Sequence, residues 1–282
     1  MAVIQACRHR YSLQWLCRCL GISRHYFYYQ CKKNAYQRRL KYAQQILTIF
    51  NGSYQSYGTR RIRQALLTEG ISVSRRYVAK VMKSLSLKSK YTQKCYKNNN
   101  KNVNSVTINN VLQRNFTVGM KATVIVADLT YIKVGKKWNY LCVLLDLSAR
   151  KIAGYRVGQH KTAELVMSAL SQIKAPLSSI ALFHSDRGKE FDNQLLDGCF
   201  DLFGITRSLS NKGCPYDNAV SEATFKTIKT EFVKNTTFSN TRELQQRFSA
   251  YAYWYNYKRL HSSLGYMTPV AFNKQLPLNL VV

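Results

Sequence analysis

KATVIVADLTYIKV, at residues 121–134, is the stretch that decides the fold, because its many β-branched residues predict a strand. Two similar runs follow, WNYLCVLLDLSA at 138–149 and KIAGYRVGQ at 151–159. Polar residues or glycine bound each run, as is typical of strands joined by short turns. The three runs together predict a three-strand meander.

Helical and strand-like segments alternate after the meander. Their order, β-β-β-α-β-α-β-α, predicts a mixed sheet flanked by helices, closed by one last helix. The predicted elements are helix 162–173, strand 179–186, helix 191–203, strand 205–210, helix 218–233 and the closing helix 243–259.

The residues before the meander predict two helical units. SLQWLCRCL at 12–20 and SRHYFYYQCKK at 23–33 each begin with serine, and Gly21 separates them, which outlines a helix-turn-helix. A second unit runs from Tyr36 to Leu87 and ends in a helix opened by Arg75 and Arg76. An ordinary helical bundle with a basic surface is the alternative, but basic residues at the start of such a helix favour DNA contact.

The charge of the 282-residue chain points to a polyanionic partner. Its formal net charge is +30, from 43 lysines and arginines against 13 acids. Residues 1–118 contain 22 basic residues and a single acid, Glu69. Because aromatic and aliphatic residues are interleaved with the basic ones, this segment differs from a solvated tail, and nucleic-acid binding is favoured.

The cysteines favour a reduced, cytoplasmic protein. Eight are present without a CxxC pair, and the first residues, MAVIQACRHR, lack the apolar core of a secretory signal. Zinc binding is disfavoured, since Cys17 and Cys19 stand two apart on a predicted helix and face different directions. The apolar stretches are too short to span a bilayer. The residues that could form such a zinc site are Cys7, His9, Cys17, Cys19, His25 and Cys31.

Three acids lie where their side chains can reach a common site. Asp128 ends the run TVIVAD and Asp186 ends IALFHSD, and ligand sites in such sheets gather beyond strand ends. Glu222 lies in the first turns of the helix after KGCPYDNA. Each acid alone is ordinarily a turn or cap residue. As a set, these oxygen ligands suit Mg²⁺ ions that activate and stabilise the oxygens of an in-line displacement.

Four segments closely resemble bacterial insertion-sequence transposases of the type whose second reading frame carries a retroviral-integrase-like core. Asp186 and Glu222 are separated by 35 residues, the spacing that gives this D,D(35)E family its name. YGTRRIRQAL resembles the helix-turn-helix region that precedes the core, so the resemblance covers nearly the whole chain. The four segments are VADLTYI, FHSDRGKEF, NKGCPYDNAVSEATFKTIKTE and YNYKRLHSSLGYMTP.

The resemblance implies an α/β ribonuclease H-like catalytic core, with a mixed five-stranded sheet, preceded by an all-α helix-turn-helix DNA-binding region. It implies a DNA transposase with Asp128, Asp186 and Glu222 as catalytic residues and as ligands of two Mg²⁺ or Mn²⁺ ions. The expected parts are a helix-turn-helix-like segment (1–35), a helical DNA-binding domain (36–88), a basic linker (89–117), an integrase core (118–275) and a tail (276–282).

The partners implied are the terminal inverted repeats of the element, target DNA and further copies of the chain. A fusion with, or partnership of, an upstream-frame product is also implied, so the chain by itself is expected to be inactive or regulatory. Its expected location is the bacterial cytoplasm, in association with the nucleoid when it binds DNA. Two alternatives stay open: a non-catalytic DNA-binding regulator on the same fold, and a structural nuclease such as a junction resolvase.

Further residues are predicted to serve the site. Lys229, seven residues past Glu222, matches the basic residue that the family places near the DNA. His184, two residues before Asp186, either packs in the sheet or orients a water or ligand. Tyr131 and Tyr216 either pack in the core or contact DNA. Glu190 and Phe191 depart from the less charged, tyrosine-containing family pattern. The full set of predicted DNA contacts is Lys229, Lys226, Arg75, Arg76, Arg60 and Arg61.

Overall fold

The computed structural model of the protein describes residues 2–31, 41–92, 123–210 and 219–275. The chain divides into two compact units, Met1–Ser89 and Lys90–Val282. Most of the predicted linker, the predicted tail and Tyr216 lie outside the described residues. Within those residues, no helix combines the length and apolar character that crossing a membrane requires.

Three short helices open the N-terminal unit. Ser12 and Ser23 cap the second and third, since each side-chain Oγ accepts a hydrogen bond from the backbone N–H three residues on, at 3.3 and 3.0 Å. The sequence predicted these two helices and not the first. Their core is formed by Ile4, Leu16, Cys17 and Phe27. The helices are α1 (Ala2–Cys7), α2 (Leu13–Cys19) and α3 (24–31).

Three longer helices follow: α4 (Ala43–Gly52), α5 (Thr59–Thr68) and α6 (Arg75–Ser84). The Ser74 side chain caps α6 by accepting from the N–H of Tyr77 at 3.1 Å. The second helical unit was predicted to begin at Tyr36; residues 32–40 are not described, and α4 begins at Ala43. The residues that the three helices bury include Ile46, Phe50, Ile62, Leu66, Val78 and Val81.

Five strands form one mixed sheet in the C-terminal unit, in the order β3-β2-β1-β4-β5. The pairs β1–β2 and β2–β3 are antiparallel, which confirms the predicted meander. The pairs β1–β4 and β4–β5 are parallel, as expected where helices connect the strands. The strands are β1 (Thr123–Val134), β2 (Lys137–Asp146), β3 (Lys151–Gly158), β4 (Ile180–Ser185) and β5 (Thr206–Leu209).

In the described part of the C-terminal unit, five α-helices accompany the sheet. The helix predicted over 218–233 is α-helical only to Ile228 and continues as a π-helical stretch, Lys229–Val233. Such stretches are rare and often occur at functional sites. The helices are α7 (Ala163–Leu170), α8 (Gln194–Phe203), α9 (Ala219–Ile228), α10 (Thr241–Tyr257) and α11 (Pro269–Asn273).

Alternating residues of β1 belong to two different hydrophobic clusters. Ile125 and Ala127 are in the larger cluster, with side chains of α7 and α8. Val124 and Val126 are in a smaller cluster against which Val220 of α9 packs. Because successive side chains of a strand point to opposite faces, α9 covers the face of the even-numbered residues.

Side chains of helix α10 form hydrogen bonds with backbone groups of β3, at the outer edge of the sheet. The backbone N–H of Ile152 donates to Asn256 Oδ1 at 2.9 Å, and Asn256 Nδ2 donates to the carbonyl of Ile152 at 2.8 Å. The N–H of Val157 donates to Gln245 Oε1 at 3.0 Å. Polar groups of β3 that an edge strand would otherwise expose are therefore paired within the chain.

Candidate active site

Asp128 and Asp186 are neighbours because of the register between β1 and β4. The last paired residues of these parallel strands are Val126 and His184. Two residues farther along stand Asp128, still within β1, and Asp186, the first residue after β4. Because paired strands run about 4.8 Å apart, this register brings the backbone positions of the two acids near each other where the β1–β4 pairing ends.

The prediction that Asp128 ends its strand was wrong, whereas the corresponding prediction for Asp186 was right. β1 continues to Val134, and Asp128 pairs with Val143 of β2 in the middle of the strand. The parallel pairing of β1 with β4 ends near Asp128, whereas β1 itself continues. From Asp128 onward, β1 is therefore paired with β2 and no longer with β4, which ends at Ser185.

Helix α9 presents Glu222 on an exposed stripe. Its buried side contains Ser221, Thr224 and Phe225, whereas Glu222, Lys226 and Lys229 are exposed. Spacings of four and seven residues place these three side chains along one side of a helix. The predicted acid and the two predicted DNA-contacting lysines therefore lie in one row.

The electrostatics of Asp128 show that the three acids are close enough to interact. Burial raises the pKa of Asp128 to about 7, and the negative charges of Asp186 and Glu222 contribute to this rise. A hydrogen bond from the N–H of Leu129 at 2.7 Å and the positive charge of Lys229 act in the opposite direction. The negative charge of the three acids is thus only partly compensated by Lys229 and the N–H of Leu129.

These oxygen donors have the chemistry that hard divalent cations prefer, and a cation would relieve the repulsion at Asp128. Across residues 2–31, 41–92, 123–210 and 219–275, however, no group of three or more His, Cys, Asp or Glu side chains is gathered closely enough to hold a metal ion. The donor set fits the expected ions in chemical type.

The loop after Asp186 contains an ion pair that the sequence did not predict. Glu190 is 5% exposed, and Lys161 Nζ lies 2.7 Å from its Oε1. Burial lowers the pKa of Lys161, but the hydrogen bond to Glu190 and the charges of Glu190, Asp186 and Asp128 raise it on balance. Lys161 is therefore a fixed cation beside two of the three acids.

Gly188 makes this loop possible. Its N–H donates to Asp186 Oδ1 at 3.0 Å, which orients that carboxylate. A Cβ at this position would lie 2.3 Å from Glu190 Oε1, so the buried carboxylate occupies the space that any other residue would need. The departure from the family pattern at Glu190 is thus accommodated under Gly188 and neutralised by Lys161.

His184 is completely buried, and its Nδ1 lies 2.9 Å from Ser208 Oγ on β5. This hydrogen bond fixes the imidazole ring between neighbouring strands. A role for His184 in orienting a water or a ligand at the acids stays a prediction.

A buried polar cluster lies at the end of the helix that carries Glu222. Glu231 is fully buried and accepts hydrogen bonds from Tyr91 at 2.8 Å, from Tyr251 at 2.9 Å and from Arg259 at 2.8 and 2.9 Å. Arg259 also lies 3.0 Å from His261 Nε2. Burial alone would lower the pKa of Arg259, but the Glu231 carboxylate raises it on balance. This cluster joins two segments that carried the family resemblance.

In the N-terminal unit, the predicted DNA contacts lie near the starts of α5 and α6. Arg60, Arg75 and Arg76 are exposed, and Arg75 Nε donates to Thr59 Oγ1 at 3.0 Å. Arg61 is half-buried, with its guanidinium 5.7 Å from the centre of the Tyr57 ring. These contacts hold two of the arginines against α5 and leave their charges at the surface.

Comparison with known proteins places both parts of the chain in one family. Residues 120–215 and 203–269 match models described as an integrase core domain, and residues 37–94 match an HTH-like domain. The putative transposase InsK of insertion sequence element IS150 from Escherichia coli K12 is 31% identical over 280 residues, which cover 98% of each chain. The transposase of IS904 from Lactococcus lactis is 30% identical over 82% of this chain and 93% of that relative.

Among solved structures, the chain is similar to the HTLV-2 integrase catalytic core domain in complex with magnesium. The match covers 53% of this chain and 95% of that one, with 15% identity and a TM-score of 0.41. The observed sheet order, three antiparallel strands followed by two parallel ones, together with the integrase-core match, confirms the predicted ribonuclease H-like fold. With its HTH-like region and two transposases related over most of its length, the chain belongs to the insertion-sequence transposases that carry an integrase core domain.

Proposed function

We propose that this chain cleaves the DNA strands at the ends of its mobile element and joins them to target DNA in a divalent-metal-dependent reaction. Asp128, Asp186 and Glu222 are the proposed metal ligands and catalytic residues. One observation carries this proposal. The pKa of Asp128 is raised to about 7 by burial and by the charges of the other two acids, and the β1–β4 register that ends at Val126–His184 supports the closeness of Asp128 and Asp186.

Acids that repel one another without full compensation are unfavourable for folding, so a ligand that neutralises them would explain why their charges act on one another. When bound, two Mg²⁺ or Mn²⁺ ions supply activation of the attacking oxygen and stabilisation of the leaving oxygen. The chain itself contributes the carboxylates, and Gly188 orients one of them through its N–H. Lys229 and Lys226 lie on the same stripe as Glu222, where they hold the phosphates that flank the reacting one.

The N-terminal unit is the proposed reader of the terminal inverted repeats. Arg75 and Arg76 stand at the start of α6, where a recognition helix contacts base edges, and Arg60 and Arg61 stand at the start of α5. Exposed arginines in these places suit phosphate or guanine contacts. Because much of this binding is electrostatic, its affinity falls steeply as salt is raised.

The proposed assembly is a homo-oligomer on DNA that works with, or is fused to, the product of an upstream reading frame. This part rests on the family resemblance alone. It predicts that the isolated chain binds the terminal repeats and shows little joining until that product is supplied.

The test uses the full chain, with and without the upstream product, and a duplex carrying the terminal inverted repeat. With Mg²⁺ or Mn²⁺ we expect nicked and joined products on a sequencing gel. Asp128→Asn, Asp186→Asn and Glu222→Gln should each abolish both products while gel-shift binding survives. The chain could instead bind the DNA without nicking or joining it, with either metal ion and with the upstream-frame protein present. That result would favour a non-catalytic regulator. Cleavage of branched DNA without joining would favour a junction resolvase.

A further inference from the structure

The β1–β2 hairpin carries an exposed pair of aromatic side chains. Tyr131 is 60% exposed and Trp138 is 55% exposed. Their ring centroids are 5.1 Å apart at an interplanar angle of 89°, so the rings meet edge to face. This geometry leaves ring surface open to solvent, although residues of this size ordinarily contribute to cores or interfaces.

The pair lies beside the candidate active site. Tyr131 follows Asp128 by three residues on β1, about 10 Å along the strand, and its side chain points to the opposite face of the strand. Lys229 Nζ lies 5.4 Å from the centre of the Tyr131 ring, and the charge of Lys229 also acts on Asp128. A single ammonium group therefore lies within reach of both the aromatic pair and the carboxylate.

The surroundings of the pair select a nucleic acid as its partner. Lys133, Lys136 and Lys137 are exposed in the same hairpin, and no acid occurs between Tyr131 and Trp138. Phosphate groups complement the lysines, while nucleobases complement the open rings. Bases inside a duplex are already stacked on their neighbours, so the rings suit a base that has lost its pairing partner.

The geometry points to Tyr131 and Trp138 as a stacking platform for one unpaired base of the DNA strand whose phosphate is held at Asp128. Lys229 binds the adjoining phosphate. This inference rests on the proposed function, because it takes its DNA strand from the reaction at the three acids. It goes further in assigning a role to the hairpin: it stabilises a locally unpaired strand end beside the acids.

A second exposed aromatic pair provides a matched control. Tyr253 and Tyr257 of α10 are 57% and 51% exposed, with ring centroids 4.7 Å apart and an interplanar angle of 23°. These two rings already stack on each other, so less ring surface is open to a base. The double variant Tyr253→Ala with Tyr257→Ala removes two exposed aromatic rings from α10 and leaves the hairpin pair intact.

The experiment measures the fluorescence of 2-aminopurine in the single-stranded overhang of a terminal-repeat duplex, without divalent metal so that no turnover occurs. Binding of the unaltered chain should quench the fluorophore, because stacking quenches it. Trp138→Ala and Tyr131→Ala should remove most of the quenching and weaken binding of the overhang duplex by about tenfold. Binding of the blunt duplex should change little. Trp138→Phe and Tyr131→Phe should retain quenching, and so should the α10 double variant.

The outcomes separate this inference from the proposed function. Unchanged quenching in both alanine variants would overturn the platform, even if cleavage with Mg²⁺ is observed. Quenching that survives in Glu222→Gln and is lost in Trp138→Ala supports the platform, whether or not cleavage is found. A change in oligomeric state of Trp138→Ala in the absence of DNA, measured by sedimentation, would assign the pair to a protein interface and overturn the inference.

Discussion

Glu222 and Glu231 stand nine residues apart on one continuous helical stretch, and their surroundings are opposite. Glu222 is exposed on α9 and adds to the negative charge at Asp128. Glu231 is fully buried, and its carboxylate accepts hydrogen bonds from two tyrosines and Arg259. One acid increases an electrostatic repulsion, whereas the other is fully compensated within the chain.

This difference teaches which acids serve the fold and which serve a ligand. A buried carboxylate with an arginine partner and several hydrogen-bond donors has its charge compensated and its oxygens hydrogen-bonded within the protein. In a group of carboxylates that raise the pKa of one member, the cations and hydrogen-bond donors of the chain do not fully compensate the negative charge. The first arrangement serves the fold, and the second one costs stability, which a bound cation would restore.

The sharpest test of the comparison exchanges the charge at each position for an amide. Glu222→Gln should reduce strand cleavage by at least about a thousandfold, because it removes a ligand for ions that stabilise several kcal/mol of transition-state charge. Its melting temperature should stay near that of the unaltered chain. Glu231→Gln should do the reverse and lower the melting temperature while the remaining folded protein cleaves. Equal loss of activity and of stability in both variants would contradict the distinction.

Arg259→Met tests the compensated acid from its partner's side. It leaves Glu231 buried without its cation, so the free energy of unfolding should fall by about 3–5 kcal/mol. Denaturant titration of the C-terminal unit measures this change. Combining Arg259→Met with Glu231→Leu should recover much of the loss, since no unpaired charge remains buried. A single variant as stable as the unaltered chain would show that the pair does not hold this region together.

Asp128→Asn tests the uncompensated acids. Because its pKa is raised from 3.8 to about 7, ionised Asp128 disfavours the folded state, and this cost is present above pH 7 and absent below about pH 4. The variant should therefore be more stable than the unaltered chain by about 1–3 kcal/mol at pH 8 without divalent metal. The gain should shrink as the pH falls to 5. Thermal unfolding at the two pH values measures it, and a gain that is independent of pH would contradict this cause.

Lys161→Met gives the smallest effect. It leaves Glu190 without its cation, but Lys161 is 44% exposed and water screens part of the interaction. We expect a loss of about 1 kcal/mol in unfolding free energy, most of it restored by adding Glu190→Gln. Lys161→Arg, which keeps the charge, serves as the control. If the Met variant matches the Arg variant in stability, the charge of Lys161 is not what holds Glu190.

Much of the fold follows from local pattern. The meander, the later strands and the helices around them were predicted because side-chain periodicity and the capping serines act over only a few residues. α1 was missed because its six residues are too few for a clear period. The π-helical stretch after Ile228 was missed since α and π segments share the same residue preferences.

The candidate site was predictable in its residues and less so in its geometry. The position of Asp128 was misjudged because the end of a parallel pairing depends on the partner strand, which the local sequence does not contain. The Lys161–Glu190 and Glu231–Arg259 pairs were also missed, because each joins residues 28 or 29 positions apart across the fold. Contacts of this kind follow from packing rather than from spacing.

The register between β1 and β4 has a consequence for how such chains diverge. Because the pairing of Val126 with His184 sets the distance between Asp128 and Asp186, the intervening hairpin, β3 and α7 can gain or lose residues without moving either acid. A slip of one residue in that pairing, by contrast, would carry one acid to the opposite side of the sheet. Insertions between these acids should therefore be tolerated in relatives, whereas changes that shift β1 against β4 should not.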